Sequence, residues 1–270
     1  MYTKKEQGVF IMRNIKLYLI ALAVSVALGY VVASRAGIIE HTIKQPDKEV
    51  QTVSSTPLKG LTVCIDPGHG KNTVDKKQTD PIAPGAKIQK AAVASGTVGV
   101  VTKVTEADLN LTVSKKLRES LEKQGAKVIM VRETEVCGLT NVERAKLWNS
   151  SNVDLTIRIH GNGTNDSSVS GVLMMIPGNK YIKDTELLKK SKKAGELILA
   201  GVLESTKAKS KGIQETSEMT GFNWSKVPVI LLEMGFMTNP EEDRLLNTDD
   251  YQNKMVAGIT EGLIKYVKEK

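Results

Sequence analysis

Val63-Cys64-Ile65-Asp66-Pro67-Gly68-His69-Gly70 decides the reading of this chain: an apolar run stops abruptly in Asp-Pro-Gly-His-Gly. A short apolar run bounded by turn residues reads as a buried strand, with His69 just past its carboxyl end. In open α/β sheets that edge is where ligands bind. Leu155-Thr156-Ile157-Arg158-Ile159 repeats the pattern and runs into His160-Gly161-Asn162-Gly163. The chain has three histidines, His41, His69 and His160. Two of them thus leave strand ends into glycine-flanked turns, which is how a fold presents metal ligands.

Outward from these runs, strands and helices alternate. Leu61–Ile65 is the first strand. Leu109, Val113, Leu117 and Leu121 recur every four residues and predict a helix over 106–123, with Thr105 and Asp108 at its start and Gly125 at its end. A strand follows at 127–131, then a helix at 140–150 opened by Thr140 and Glu143 in capping-box spacing. Strands at 154–159 and 171–176 precede a long helix at 185–206. The strand at 227–232, a short helix opened by Asn239-Pro240-Glu241-Glu242, and a final helix at 251–267 complete the pattern. Nearly continuous apolar strands alternating with helices predict a single three-layer α/β domain over 58–270, with a twisted, mainly parallel sheet covered on both faces. The segment Lys71–Val104 fits no element. A loop this long is expected to border the site, with a short hairpin around Ser95-Gly96 and Gly99.

The 270 residues are 40% hydrophobic and 25% charged, ordinary for a chain that buries a core. Half of the net charge of +8 lies in the first 36 residues, so the remainder is only mildly basic. No basic stripe for nucleic acid is evident. Mild basicity suits an anionic wall or lipid surface, or equally a solvated surface with excess lysine. Leu17–Ser34 is uncharged and mainly apolar behind Arg13 and Lys16, near the length that spans a bilayer. It reads as a signal anchor or a cleaved signal peptide within residues 1–36, and either one exports the chain beyond Arg35. Residues 37–57, with His41, read as a polar linker. Cys64 and Cys137 are too few for a disulfide framework. Cys64 reads as a core residue, and pairing between the two stays open.

Two carboxylates join the histidines. Glu106 opens the capped helix and by itself most simply complements the helix dipole. Glu233 follows the apolar run Val229-Ile230-Leu231-Leu232, where burial would raise its pKa and make it a usable general base. Its alternative is a salt-bridged strand end. A parallel sheet brings His69, His160 and Glu233 to one edge, with Glu106 on the loop leaving it. Two histidines and one glutamate with an open fourth position make a catalytic zinc shell, and a further carboxylate can take the proton of a water on the metal.

Asp66-Pro67-Gly68-His69-Gly70, Glu106-Ala107-Asp108-Leu109-Asn110-Leu111, Arg158-Ile159-His160-Gly161-Asn162-Gly163 and Leu232-Glu233-Met234-Gly235-Phe236-Met237-Thr238-Asn239 occur in that order. Together they resemble the zinc-dependent N-acetylmuramoyl-L-alanine amidases of the amidase-3 type, over about Leu61 to Lys268. The resemblance implies one zinc held by His69, Glu106 and His160, a water on that zinc as nucleophile and Glu233 as base. The reaction would be hydrolysis of the amide between N-acetylmuramic acid and L-alanine in bacterial peptidoglycan. The family more often has Ser-Ile-His-Ala-Asn-Ala where this chain has Arg158-Ile159-His160-Gly161-Asn162-Gly163, and its first loop is usually shorter. Asn162 and the amides of Gly161–Gly163 are candidate substrate contacts, with a turn role as the alternative. Strand alternation is expected to turn Arg158 away from its ligand neighbour, as a structural residue. The partners expected are peptidoglycan, and the membrane through the N-terminal segment, for an exported monomer. Another zinc hydrolase of peptidoglycan (a peptidase or deacetylase), a non-catalytic wall-binding or regulatory module, and a domain with a structural metal are the alternatives.

Overall fold

In the computed structural model, which describes residues 56–269, the run around Cys64 is strand β1 (Thr62–Pro67), buried along nearly its whole length. Strands β5 (Lys127–Met130) and β7 (Leu155–Asn162) pair parallel on either side of it. Strand β10 (Val229–Phe236) pairs parallel with β7. Strands β8 (Val172–Pro177) and β9 (Ser210–Thr216) complete the order β5-β1-β7-β10-β8-β9. β8 runs antiparallel to β10 and β9 parallel to β8, so four strands point one way and two the other. The sheet is mixed but mainly parallel, as the alternating pattern predicts.

Side chains alternate across a strand, and here the two faces have different work. Val63, Ile65, Leu155, Ile157, Ile159, Ile230 and Leu232 enter the larger core beneath α1 (Glu106–Lys123), α3 (Thr185–Thr206) and α6 (Asp249–Lys268), which Leu246 of the short α5 (Pro240–Leu246) also joins. Cys64, Val229 and Leu231 enter smaller clusters with Trp148 of α2 (Asn141–Ser150) and Phe222 of α4 (Thr220–Asn223). The same alternation assigns Asp66, Arg158, His160 and Glu233 to that second face, above a floor that is no longer apolar. On the first face α3 and α6 touch backbone to backbone: a Cβ on Gly201 would lie 2.3 Å from the Gly258 carbonyl oxygen.

Predicted and observed elements differ where apolar periodicity is silent. α1 and α3 match their predicted limits, and Thr140 closes a full capping box with Glu143. β7 and β10 continue past their apolar runs, so His160 and Glu233 lie inside strands rather than after them. β9 has no counterpart among the predicted strands: Ser210–Thr216 is a largely exposed edge strand without an apolar run. The hairpin of the long segment lies earlier than expected. It is formed by β3 (Thr79–Pro81) and β4 (Gln89–Ala91), while the backbone near Gly99 makes only one bridge, Val98 to Thr105. Buried Ile82 and Ala92 fix the hairpin there. A further small pair joins β2 (Lys71–Asn72) to β6 (Val136–Cys137). Cys64 and Cys137 are buried and free. The expected membrane or signal segment and nearly all of the expected linker, residues 1–55, lie outside the described residues. Among the described residues, no helix is long and apolar enough to cross a membrane.

Candidate active site

The registers that build the sheet also build the site. Glu233 of β10 is paired with His160 of β7, and the loop leaving β1 returns its Gly68 amide to the Ile159 carbonyl. His69 follows with φ 59°, a left-handed backbone uncommon outside glycine and a mark of functional loops. Two buried arginines hold it. Arg144 Nη2 donates to the His69 carbonyl at 2.5 Å, and Arg132 donates to the carbonyls of Pro67, Gly68 and Ala107. Glu106 enters from the first residue of α1, whose N-cap is Thr105.

These elements bring His69, Glu106 and His160 together, with one ligand atom from each within 4.8 Å of the others. Glu106 Oε1 lies 2.9 Å from His69 Nε2 and 3.0 Å from His160 Nδ1. The two rings meet edge-on, centroids 4.9 Å apart. Gly68 makes this possible: a Cβ there would lie 2.3 Å from His160 Cε1. Glu106 is fixed from the other side by the amides of Thr97 on Oε2 and Gly161 on Oε1, and by Asn110 Nδ2 at 3.3 Å, which also donates to the Gly68 carbonyl. Burial alone would raise the Glu106 carboxyl, but hydrogen bonds and charge from the two imidazoles hold it well below the usual range.

The donor set fits a cation. His69 Nδ1 faces the Ala94 carbonyl at 2.9 Å, while its Nε2 faces a carboxylate oxygen. A neutral imidazole has one N–H and satisfies one of these acceptors. A metal ion held by His69 and Glu106 would resolve the conflict, leaving Nδ1–H for the carbonyl as the orienting bond usual behind a ligand histidine. Burial pushes His160 down to about 4 against the pull of Glu106, so its ring is neutral at pH 7, the state a metal ligand needs; its Nε2 is buried without a hydrogen-bond partner among the described residues.

Glu233 has the opposite environment. It is buried, and its Oε2 has no hydrogen-bond partner among the described residues. Burial and then the Glu106 charge push its carboxyl up to about 8, against the pull of Arg158. With the ligand cluster it lines a cavity of about 620 Å³. The long segment supplies one wall through Ala91, Ala94 and Thr97, and Lys90 at the rim pairs with Glu218 at 2.9 Å.

A model of the amidase-3 family, described as N-acetylmuramoyl-L-alanine amidase, matches residues 63–265. The chain belongs to that family. It is an amidase. The germination-specific N-acetylmuramoyl-L-alanine amidase of Bacillus subtilis is 32% identical over 229 residues, covering 80% of this chain and 84% of that protein. A crystal structure of an N-acetylmuramoyl-L-alanine amidase from Clostridium difficile 630 superposes with TM-score 0.64 at 29% identity, covering 78% of this chain and 98% of that one. The Ami1 amidase of Mycobacterium smegmatis shares the fold, with TM-score 0.71 at 21% identity over 79% of this chain and 99% of its own.

Within the amidase, Asn162 lines the cavity and its Oδ1 accepts the Gly163 amide. Gly161 is not a turn glycine: it lies in β7, and its amide serves Glu106 rather than the open cavity. A Cβ on Gly161 would lie 2.8 Å from Met237 Sδ, so a side chain at this position is crowded. Arg158 corrects the reading of its direction. It is two residues from His160, not one, so the two share a face, and both line the cavity. Arg158 Nε donates to buried Asp66 at 2.8 Å, and Arg144 Nη1 donates to the same carboxylate at 2.6 Å. Burial would raise the Asp66 carboxyl, but the two guanidiniums outweigh it and bring it down to about 2. Asp66, Asn110, Arg132 and Arg144 are site residues that the sequence reading does not single out. The signal for Asp66 and Asn110 is there, since both lie inside the quoted motifs. Nothing in the sequence ties Arg132 or Arg144 to the His69 loop.

Proposed function

We infer that residues 58–270 form a zinc-dependent catalytic unit that cleaves the amide between N-acetylmuramic acid and L-alanine in peptidoglycan, on the extracytoplasmic side of the membrane. One observation carries this reading: two imidazoles and a carboxylate converge within 4.8 Å in a cavity that a second, partnerless carboxyl also lines. His69, Glu106 and His160 hold the ion. A zinc ion there supplies Lewis acidity, lowering the pKa of a bound water to about 7 and polarising the amide carbonyl.

The chain's own residues do the rest. The Ala94 carbonyl and the Thr97 and Gly161 amides keep the ligands aimed before substrate arrives. Glu233 accepts a proton from the attacking water. As the carbon–nitrogen bond breaks it returns that proton to the alanine nitrogen, leaving a lactyl carboxylate and a free alanine amine. Asn162, which lines the cavity and whose amide nitrogen makes no hydrogen bond among the described residues, is a substrate contact. The unit works as a monomer, held at the membrane or released according to the fate of the N-terminal segment.

Digestion of purified peptidoglycan with and without a chelator, followed by mass spectrometry of the new amino termini, tests the activity. New N-terminal alanine, lost with chelator, is expected, and acetate release in its place would make the chain a deacetylase. Glu233→Gln is expected to keep one zinc per chain and lose cleavage by about 10²-fold or more. A zinc-loaded Glu233→Gln enzyme that still cleaves would refute the assigned base.

A further inference from the structure

Arg158 is a buried cation with two unused nitrogens. It is 5% exposed, and among the described residues its Nε, bound to Asp66, is its only hydrogen-bonding nitrogen. Glu233, which lines the same cavity, feels the Arg158 charge, yet no hydrogen bond joins the two among the described residues. Arg132, Arg144 and Arg158 are all buried, and Asp66 is the one carboxylate that bonds Arg144 and Arg158. Arg132 and Arg144 have both terminal nitrogens engaged, on Asp66, loop carbonyls and Cys137 Sγ, and neither lines the cavity. Two cations line the cavity, and Lys90 is already paired with Glu218. Beside Arg158 the wall is Gly221, where a Cβ would lie 3.1 Å from Nη1, so any side chain there would crowd the guanidinium edge that lines the cavity. A buried guanidinium facing a cavity with a free donor edge is a site for an oxyanion, and its planar fork suits a carboxylate.

We propose that Arg158 is a specificity-determining residue that binds a free carboxylate on the peptide stem of the substrate, on the residue that follows the alanine. This deepens the muramoyl-alanine amidase reading and rests on it. Spacing selects the residue. Arg158 is two residues along β7 from His160, roughly 6 to 7 Å at the rise of a strand. A carboxylate on the residue after alanine is about as far from the alanine nitrogen, the atom released at the ion, when the peptide is extended. Stems in which that carboxylate is amidated lose the charge-assisted pair, and the fork then faces a group that also donates.

The test compares muramoyl-L-alanyl-D-glutamate with muramoyl-L-alanyl-D-isoglutamine as substrates of the zinc-loaded full chain. In parallel, binding of the dipeptides L-alanyl-D-glutamate and L-alanyl-D-isoglutamine is measured by calorimetry. The free acids are expected to have a KM and a Kd about tenfold or more below those of the amides. Arg158→Gln, in which Asp66 keeps its bond to Arg144, is expected to bring both ratios to about one. If Arg158→Gln does not fold, Arg158→Lys serves, with an intermediate ratio expected. A wild-type preference near one, or a preference unchanged in the variants, overturns the proposal. Cleavage of neither substrate counts against the amidase reading alone, because the dipeptide Kd ratio still decides the subsite; binding of neither dipeptide overturns the subsite.

Discussion

Replacing Glu233 by glutamine is expected to stabilise the metal-free protein while removing its activity, and the gain has a pH signature. A carboxyl with a pKa of about 8 in the fold and 4.5 as reference takes up a proton on folding. Its contribution to stability therefore falls as pH rises from 4.5 towards 8. At about 1.4 kcal/mol per unit, the wild-type carboxyl costs roughly 1 kcal/mol at pH 5, 3 at pH 7 and 5 at pH 9. Glutamine does not titrate, so the advantage of Glu233→Gln should widen by about 4 kcal/mol from pH 5 to pH 9. The constant difference between a neutral acid and an amide, both without a partner at this buried position, shifts all three values alike. Urea unfolding of chelator-treated protein at the three pH values reads this as a separation of midpoints that grows by about 1 to 2 M. A separation that stays constant across pH would refute the reasoning, because it would mean that Glu233 does not titrate differently in the fold.

Asp66→Asn strips the shared counter-charge from Arg144 and Arg158 and should lower unfolding stability by about 3 to 5 kcal/mol in the same urea assay. In the wild type the Asp66 carboxyl, at about 2 against 3.8, should contribute about 2 kcal/mol at pH values above 4 and lose it as pH falls through 2, seen as steeper acid unfolding than in the asparagine variant. Gly68→Ala puts a Cβ into the His160 ring, and calorimetric zinc affinity should drop by about tenfold to a hundredfold while the circular dichroism spectrum is kept. Gly201→Ala pushes α3 off α6 at the Gly258 carbonyl; a loss of about 1 to 3 kcal/mol is expected, with unchanged turnover per folded molecule.

How far the sequence carries the fold depends on what each element uses to declare itself. α1 announces itself through leucines every four residues, a threonine cap and a closing glycine, and its limits are read correctly. β7 and β10 announce only their apolar halves. Beyond Ile159 and Leu232 the strands continue through polar residues whose backbone is held by register with a neighbour, which no local pattern records. β9 is an edge strand with one face on solvent, so it needs no apolar run and leaves no trace. The candidate ligands are legible because polar residues directly after apolar runs are conspicuous. Arg158 is misread by one step of strand alternation. The arginine pair that holds the His69 loop is illegible, since Arg132 and Arg144 reach it from more than 60 residues away in sequence.

Glu106 and Glu233 line one cavity, yet the fold drives them in opposite directions, and that contrast is what makes the site chemically directional. Glu106 receives two backbone amides, the Asn110 side chain and two imidazoles, so it remains ionised to low pH. Glu233 receives none of these, and the charge of Glu106 is itself part of what keeps a proton on it. Environments that push two acids apart are how acid and base roles are divided at neutral pH. The division depends on what lies between the imidazoles and Glu106. A divalent cation there reverses the local field, so the same neighbour that raised the Glu233 carboxyl becomes part of a net positive centre that lowers it. Loading the site should thus bring Glu233 down from about 8 towards neutral pH, where a general base is most effective. Infrared titration of the carboxyl band lost in Glu233→Gln, with and without zinc, measures the shift. A titration midpoint that zinc leaves in place would separate Glu233 from the ion and take away its role as base.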